Sequence, residues 1–127
     1  MTAGLLDTSV LIASETGRPI DVAALPDELS ISVITIAELR VGVLAATDVD
    51  TRDRRLGTLT RALDLDPLPI DKRVGEAWAR LRIDLRDAGL RLPVNDSWIA
   101  ATAIAHGLSM VTQDGDYEVA ALEVIRV

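Results

Sequence analysis

A chain of 127 residues with 49% apolar residues and mean hydropathy of +0.27 has material for one buried core, so intrinsic disorder is excluded as its class. Without cysteine there is no disulfide framework and no thiolate zinc site, and a ring inventory of Trp78, Trp98 and Tyr117 is too small for a base-stacking platform. The formal net charge of −7 is unevenly spread: residues 40–91 hold 11 of the 13 basic residues against 9 acids, and the rest of the chain holds 2 basic residues against 11 acids.

Such an acidic remainder destabilises a compact state unless its charges stay dispersed in water or are neutralised by a cation. The first arginine is Arg18, so no basic segment precedes an apolar one as in a secretory signal, and no run approaches the ~18 apolar residues of a membrane span. A soluble cytoplasmic protein with no membrane attachment, folded as a single domain over 1–127, is expected.

In chain order, strand-like and helix-like segments alternate, which predicts an α/β fold with a parallel sheet. The short apolar run at 3–7 reads as a strand buried on both faces, with Asp7 at its carboxyl end. There Asp7 is either an acid at the start of the next helix, beside Thr8 or Ser9 as cap, or a ligand-binding group at the sheet edge. Gly17, Pro19, Pro26 and Asp27 punctuate a loop, and residues 29–34 alternate as a second strand. Thr35-Ile-Ala-Glu38 fits a capping box, with Thr35 as N-cap and Glu38 reaching back to it. A helix over 36–46 and another over 51–63 follow. The second carries Arg52, Arg54, Arg55 and Arg61, read either as a solvated face paired with Asp48, Asp50 and Asp53 or as an anion-binding surface. Pro67 and Pro69 frame a short strand at 68–70. The most regular helix, 72–88, has its apolar stripe at Val74, Ala77, Trp78, Leu81 and Leu85 and stops at Gly89; Trp78 in that stripe reads as core or interface. Asn95-Asp96 is a start signal for a helix over 97–106, ending at His106 and Gly107. A strand at 109–112, a loop and short helix over 113–121, and a terminal strand at 123–127 complete the chain.

Asp7, Glu38, Asp96 and Asp114, with Asp116 just beyond, each follow a strand or open a helix, and in a parallel sheet such positions share one edge. Each has a modest explanation alone: a capping box for Glu38, a first-turn acid for Asp96, a turn around Gly115 for Asp114 and Asp116. Together they repel one another, and a hard divalent cation, Mg²⁺ or Mn²⁺, resolves the repulsion.

The ordered set Leu5-Leu-Asp-Thr-Ser9, Thr35-Ile-Ala-Glu-Leu39, Asn95-Asp-Ser-Trp-Ile-Ala-Ala-Thr-Ala-Ile-Ala105 and Val111-Thr-Gln-Asp-Gly-Asp-Tyr117 resembles the PIN-domain ribonucleases, and among them the VapC toxins of bacterial toxin-antitoxin pairs. The resemblance implies a PIN-like fold, a central parallel sheet of four to five short strands with helices on both faces. It places metal-binding acids at Asp7, Glu38, Asp96 and Asp114, an auxiliary acid at Asp116, and hydroxyl partners of those carboxylates at Thr8 and Thr112; Tyr117 stands where the family often has Phe. It also implies metal-dependent hydrolysis of RNA phosphodiesters, a homodimer, and a cognate VapB-type antitoxin with a basic tail. RNA is expected to approach over Arg52, Arg54 and Arg55, because the acidic edge alone repels phosphate. Two rivals share the α/β alternation. A receiver-type signalling module wants an acidic pair at the first strand and a Lys after the last one, whereas the one Lys here is Lys72. A phosphatase with an aspartyl nucleophile wants an Asp two residues after Asp7, where Ser9 stands. A catalytically inactive PIN-like scaffold is the third.

Overall fold

The structure, a computed structural model, describes residues 2–114, 117 and 121–127. Four short strands, β1 (Ala3–Leu6), β2 (Glu28–Ser30), β3 (Ser109–Thr112) and β4 (Val124–Arg126), form one parallel sheet in the order β2-β1-β3-β4. Five helices connect them: α1 (Thr8–Thr16), α2 (Val33–Ala45), α3 (Val49–Leu63), α4 (Lys72–Ala88) and α5 (Val94–Ala105).

The pleat of β1 divides the interior in two, because successive side chains of a strand point to opposite faces. Leu5 and Met110 join Val74, Leu81, Leu85 and Ile99 beneath α4 and α5, whereas Leu6 and Val111 join Val10, Ile31, Leu39, Val43 and Leu59 beneath α1, α2 and α3. The sheet is thus covered on both faces, as its continuous apolar strands require. Gly4 is fixed by crowding: a Cβ there would lie 2.7 Å from Val111 Cγ2 and 2.9 Å from Pro26 Cγ. Gly89 ends α4 at φ +68°, the left-handed C′ conformation.

Several expected boundaries move. The second strand stops at Ser30 and α2 begins at Val33, capped by Ser32, whose Oγ accepts from Ile34 N at 3.0 Å. Thr35 is therefore a buried residue of the first helical turn and not the N-cap. A tertiary contact sets this start: Leu68 N donates to Ile31 O and Val33 N to Leu68 O, so the expected strand at 68–70 is a single bridge between Ser32 and Leu68. Helix α3 starts at Val49, with Asp48 accepting from Thr51 N at 2.8 Å. Helix α5 opens at Val94 after Pro93, which leaves Asp96 in its first turn, and stops at Ala105 before His106. The loop and short helix expected over 113–121 fall largely outside the described residues.

Candidate active site

The carboxyl end of β1 delivers Asp7 into the interior: the residue is 2% exposed. Its backbone continues the β1–β3 ladder, Asp7 N donating to Val111 O at 2.8 Å, and it occupies the N-cap position of α1 without any side-chain cap bond. The carboxylate is instead held by three hydroxyls. Oδ2 accepts from Ser9 Oγ at 2.7 Å and from Thr112 Oγ1 at 2.9 Å, and Oδ1 accepts from the Tyr117 hydroxyl at 2.9 Å. Behind these donors, Gln113 N donates to Ser9 Oγ and Asp114 N to Thr112 Oγ1. Burying a carboxylate this deeply is costly unless such hydrogen bonds meet its oxygens.

A second hydroxyl chain reaches Glu38. Thr8 Oγ1 donates to Glu38 Oε1 at 2.8 Å and lies 3.0 Å from Thr35 Oγ1. Since Thr8 has a single hydroxyl hydrogen, Thr35 is the donor between the two. The capping-box reading of Glu38 is thereby replaced: its carboxylate is turned toward α1 by a threonine beside Asp7. Helix α2, started at Ser32, brings it there.

Asp96 rises from the first turn of α5 and is half-buried. Burial pushes its carboxyl up to about 6, the charges of Asp7, Glu38 and Asp114 push in the same direction, and the nearby Tyr117 hydroxyl opposes them. That influence brings all four sequence-selected acids into one electrostatic neighbourhood, with Asp114 exposed at the end of β3. Asp116, the fifth, lies outside the described residues. Tyr117 is 1% exposed, and burial followed by the negative charges of Asp7 and Asp96 raises its phenol, which keeps it a hydrogen-bond donor.

Among the described residues, no three acids or histidines close to direct metal-ligand spacing, so the carboxylates form an open cluster and not a cage. The donors are nonetheless all hard oxygens, and the raised Asp96 marks negative charge that the protein leaves uncompensated. Both fit Mg²⁺ or Mn²⁺, which keep several waters and take few carboxylates. His106 stands apart beyond the far end of α5, with Nδ1 3.1 Å from Arg73.

Sequence reasoning singled out Thr8 and Thr112 and missed the roles of Ser9, Thr35 and the Tyr117 hydroxyl. Only the spacing of Ser9, two residues after Asp7, offered a signal. Arg52, Arg54 and Arg55 of α3 are held against α1 and α2. Arg52 donates to Ala46 O at 3.0 Å, Arg55 to Gly42 O at 2.7 Å, and Arg54 stands 3.7 Å from Glu15. Two of the three thus bind carbonyls at the C-terminal end of α2, where a helix attracts cations. Arg54 and Arg55 also line a groove of about 280 Å³ with Ile12, Leu39 and Glu38.

The family model of the PIN domain matches residues 4–122. Ribonuclease VapC5 of Mycobacterium tuberculosis is 50% identical over 129 residues, covering 98% of this chain and 96% of its own, and ribonuclease VapC4 of the same organism is 50% identical over 113 residues, 89% and 87% of the two chains. In the crystal structure of VapBC-5, a toxin-antitoxin complex from Mycobacterium tuberculosis, one chain superposes with a TM-score of 0.91 at 46% identity, with 100% of each chain covered.

Proposed function

Given that the chain belongs to the PIN-domain family, we propose that it is a metal-dependent endoribonuclease, the toxin of a toxin-antitoxin pair, acting in the cytoplasm as a single domain over 1–127. The observation that carries the reading is the clustering of Asp7, Glu38, Asp96 and Asp114 at the carboxyl edge of a parallel sheet, where α/β folds bind their ligands. Relatives at half identity over nearly the whole chain are named ribonucleases.

Bound at this edge, Mg²⁺ or Mn²⁺ supplies a Lewis acid that stabilises charge on the phosphate and leaving oxygen and makes water more acidic. Asp7, Asp96 and Asp114 would hold the ion, with Glu38 nearby and Asp116 as the auxiliary acid. The protein's own work is orientation. Ser9, Thr112 and Tyr117 fix the plane of the Asp7 carboxylate before any ligand arrives, and Thr35 and Thr8 do the same in series for Glu38. A carboxylate held by such partners keeps one rotamer, and loss of a partner commonly costs ten- to a hundredfold in metal affinity. The chain has no cysteine, His106 is engaged with Arg73, and the hydroxyls of Ser9, Thr112 and Tyr117 are spent on Asp7; water is the nucleophile in this reading.

VapBC-5 is a member of a family of toxin-antitoxin systems, which supports a VapB-type antitoxin as partner here; a homodimer is the assembly this reading adds. The antitoxin's basic tail has a complementary target in the acidic rim, and the groove beside Glu38 is an approach for it or for RNA passing Arg54 and Arg55, with Arg52 behind them. No helix among the described residues is long and apolar enough to cross a membrane.

The test is incubation of the purified protein with total RNA in Mg²⁺, Mn²⁺ or chelator, followed by mapping of the cut ends. Discrete cuts that disappear with chelator are expected; cutting that is indifferent to chelator overturns the mechanism.

A further inference from the structure

A second basic surface lies on the α4/α5 side of the molecule. Arg82, Arg86 and Arg91 line one cavity of about 420 Å³, floored by the buried Leu85 and Leu92 and edged by Leu90, with no acid in its wall. Arg86 touches the neighbouring Asp87 at 3.2 Å, but both side chains are more than half exposed, and such a pair gives way readily to a better anion. The guanidiniums of Arg52 and Arg55 are already spent on carbonyls of α2; those around this basin are not bound in that way.

The basin is tied to the acidic edge. The Arg82 guanidinium lies 5.3 Å from the centre of the Trp78 ring, which also stacks on Trp98 at 4.3 Å and 5°. Trp78 Nε1 donates to Ser97 Oγ, the residue after Asp96. From the other side, Arg91 precedes Asp96 by five residues, a chain path of at most about 17 Å. A polyanion seated in the basin therefore has its next segment at the acids.

Resting on the ribonuclease reading, we propose that Arg82, Arg86 and Arg91 form a seat for the RNA backbone next to the bond that is cut. The planar fork of arginine matches phosphate oxygens two at a time. A chain with net charge −7 needs such a local site, because its catalytic edge repels the substrate until a cation is bound. Leucines in the floor lower the local dielectric and strengthen the contact.

The test uses the Asp7→Asn protein, so that RNA stays intact, and follows anisotropy of a fluorescein-labelled random-sequence single-stranded RNA across a salt series. Arg86→Gln with Arg91→Gln is compared with Lys72→Gln with Arg80→Gln, which removes the same charge from exposed positions on another face of α4. The basin pair is expected to weaken binding about tenfold at low salt and to make the log–log salt slope shallower by about 1.4, the value for two phosphate contacts on a single strand. The control pair stays within about twofold, and thermal melts confirm that both remain folded. Equal losses in the two pairs, or no loss in either, overturn the seat. So does a basin pair that keeps its RNA affinity but loses self-association in ultracentrifugation, which assigns the basin to protein contact. The parent protein is run beside them on total RNA with Mn²⁺: cleavage there without a basin effect overturns the seat alone, and absence of cleavage overturns the ribonuclease reading and the seat with it.

Discussion

Asp7 and Asp96 belong to one acidic cluster but live under opposite regimes. Asp7 is sealed in and fully provided for, with Ser9, Thr112 and Tyr117 donating to its two oxygens. Asp96 is half-open, and its carboxyl is pushed up by burial and by the charges of its neighbours. The protein surrounds the carboxylate at the floor of the site with donors and leaves the ionised form costly at the rim. A cation arriving at such a place finds one carboxylate already aimed and a second that gains most by ionising next to it.

The largest effect expected from breaking the contrast is at the floor. Asp7→Asn keeps the size of the side chain but removes the charge its three donors serve; RNA cleavage should fall at least about a thousandfold, the several kcal/mol that metal-centred catalysis supplies, while circular dichroism shows an intact fold. Cleavage at the parent rate removes Asp7 from the site. Thr112→Val is subtler. It takes one donor from Asp7 and orphans Asp114 N, so the Mn²⁺ concentration for half-maximal activity should rise ten- to a hundredfold with a stability loss of about 1–3 kcal/mol; an unchanged Mn²⁺ titration shows that Ser9 and Tyr117 suffice.

At the rim the sign reverses. A carboxyl whose folded value is about 6 against an ordinary value of 3.8 binds its proton more tightly in the folded state. Its stabilising contribution is present at low pH and is lost as pH rises through 3.8 to 6. Asp96→Asn should therefore stabilise the metal-free protein at pH 7.5 by about 1 kcal/mol once screening of a half-exposed group is allowed for, and raise its melting temperature accordingly. It should raise it far less at pH 4, and a mutant that melts lower at pH 7.5 contradicts the rim's assigned charge state. The smallest effect is expected from Ser32→Ala, which removes the cap of α2 at a cost of about 1 kcal/mol and loosens the helix that carries Glu38. A melt measures the first effect, and a modest rise in the Mn²⁺ requirement measures the second.

Element order, sheet type and the four acids were legible because they depend on local periodicity and on strand ends, both of which leave marks in sequence. The start of α2 was not. Val33 and Ile34 are β-branched and continue the look of the preceding strand, and what turns them helical is a bridge to Leu68, distant in sequence. That one shift made Thr35 look like a cap and Glu38 its partner, since the same four residues satisfy either arrangement. The tyrosine was visible only as a departure from phenylalanine. That its hydroxyl meets Asp7 depends on chain geometry with no local signature. The basic residues were legible only as charge: it can be counted in a sequence, but which arginines reach helix-end carbonyls cannot.

The three donors to Asp7 come from positions 9, 112 and 117, and its main-chain nitrogen is anchored on residue 111. The first acid of the chain is therefore completed by two hydroxyls 105 and 110 residues away in sequence. Until β3 pairs with β1, the chain has neither the ladder that anchors the Asp7 nitrogen nor the Thr112 hydroxyl that helps aim its carboxylate. Closing so long a loop is also the late, slow part of folding. Competence of the site is thereby tied to closure of the sheet and not to any local element.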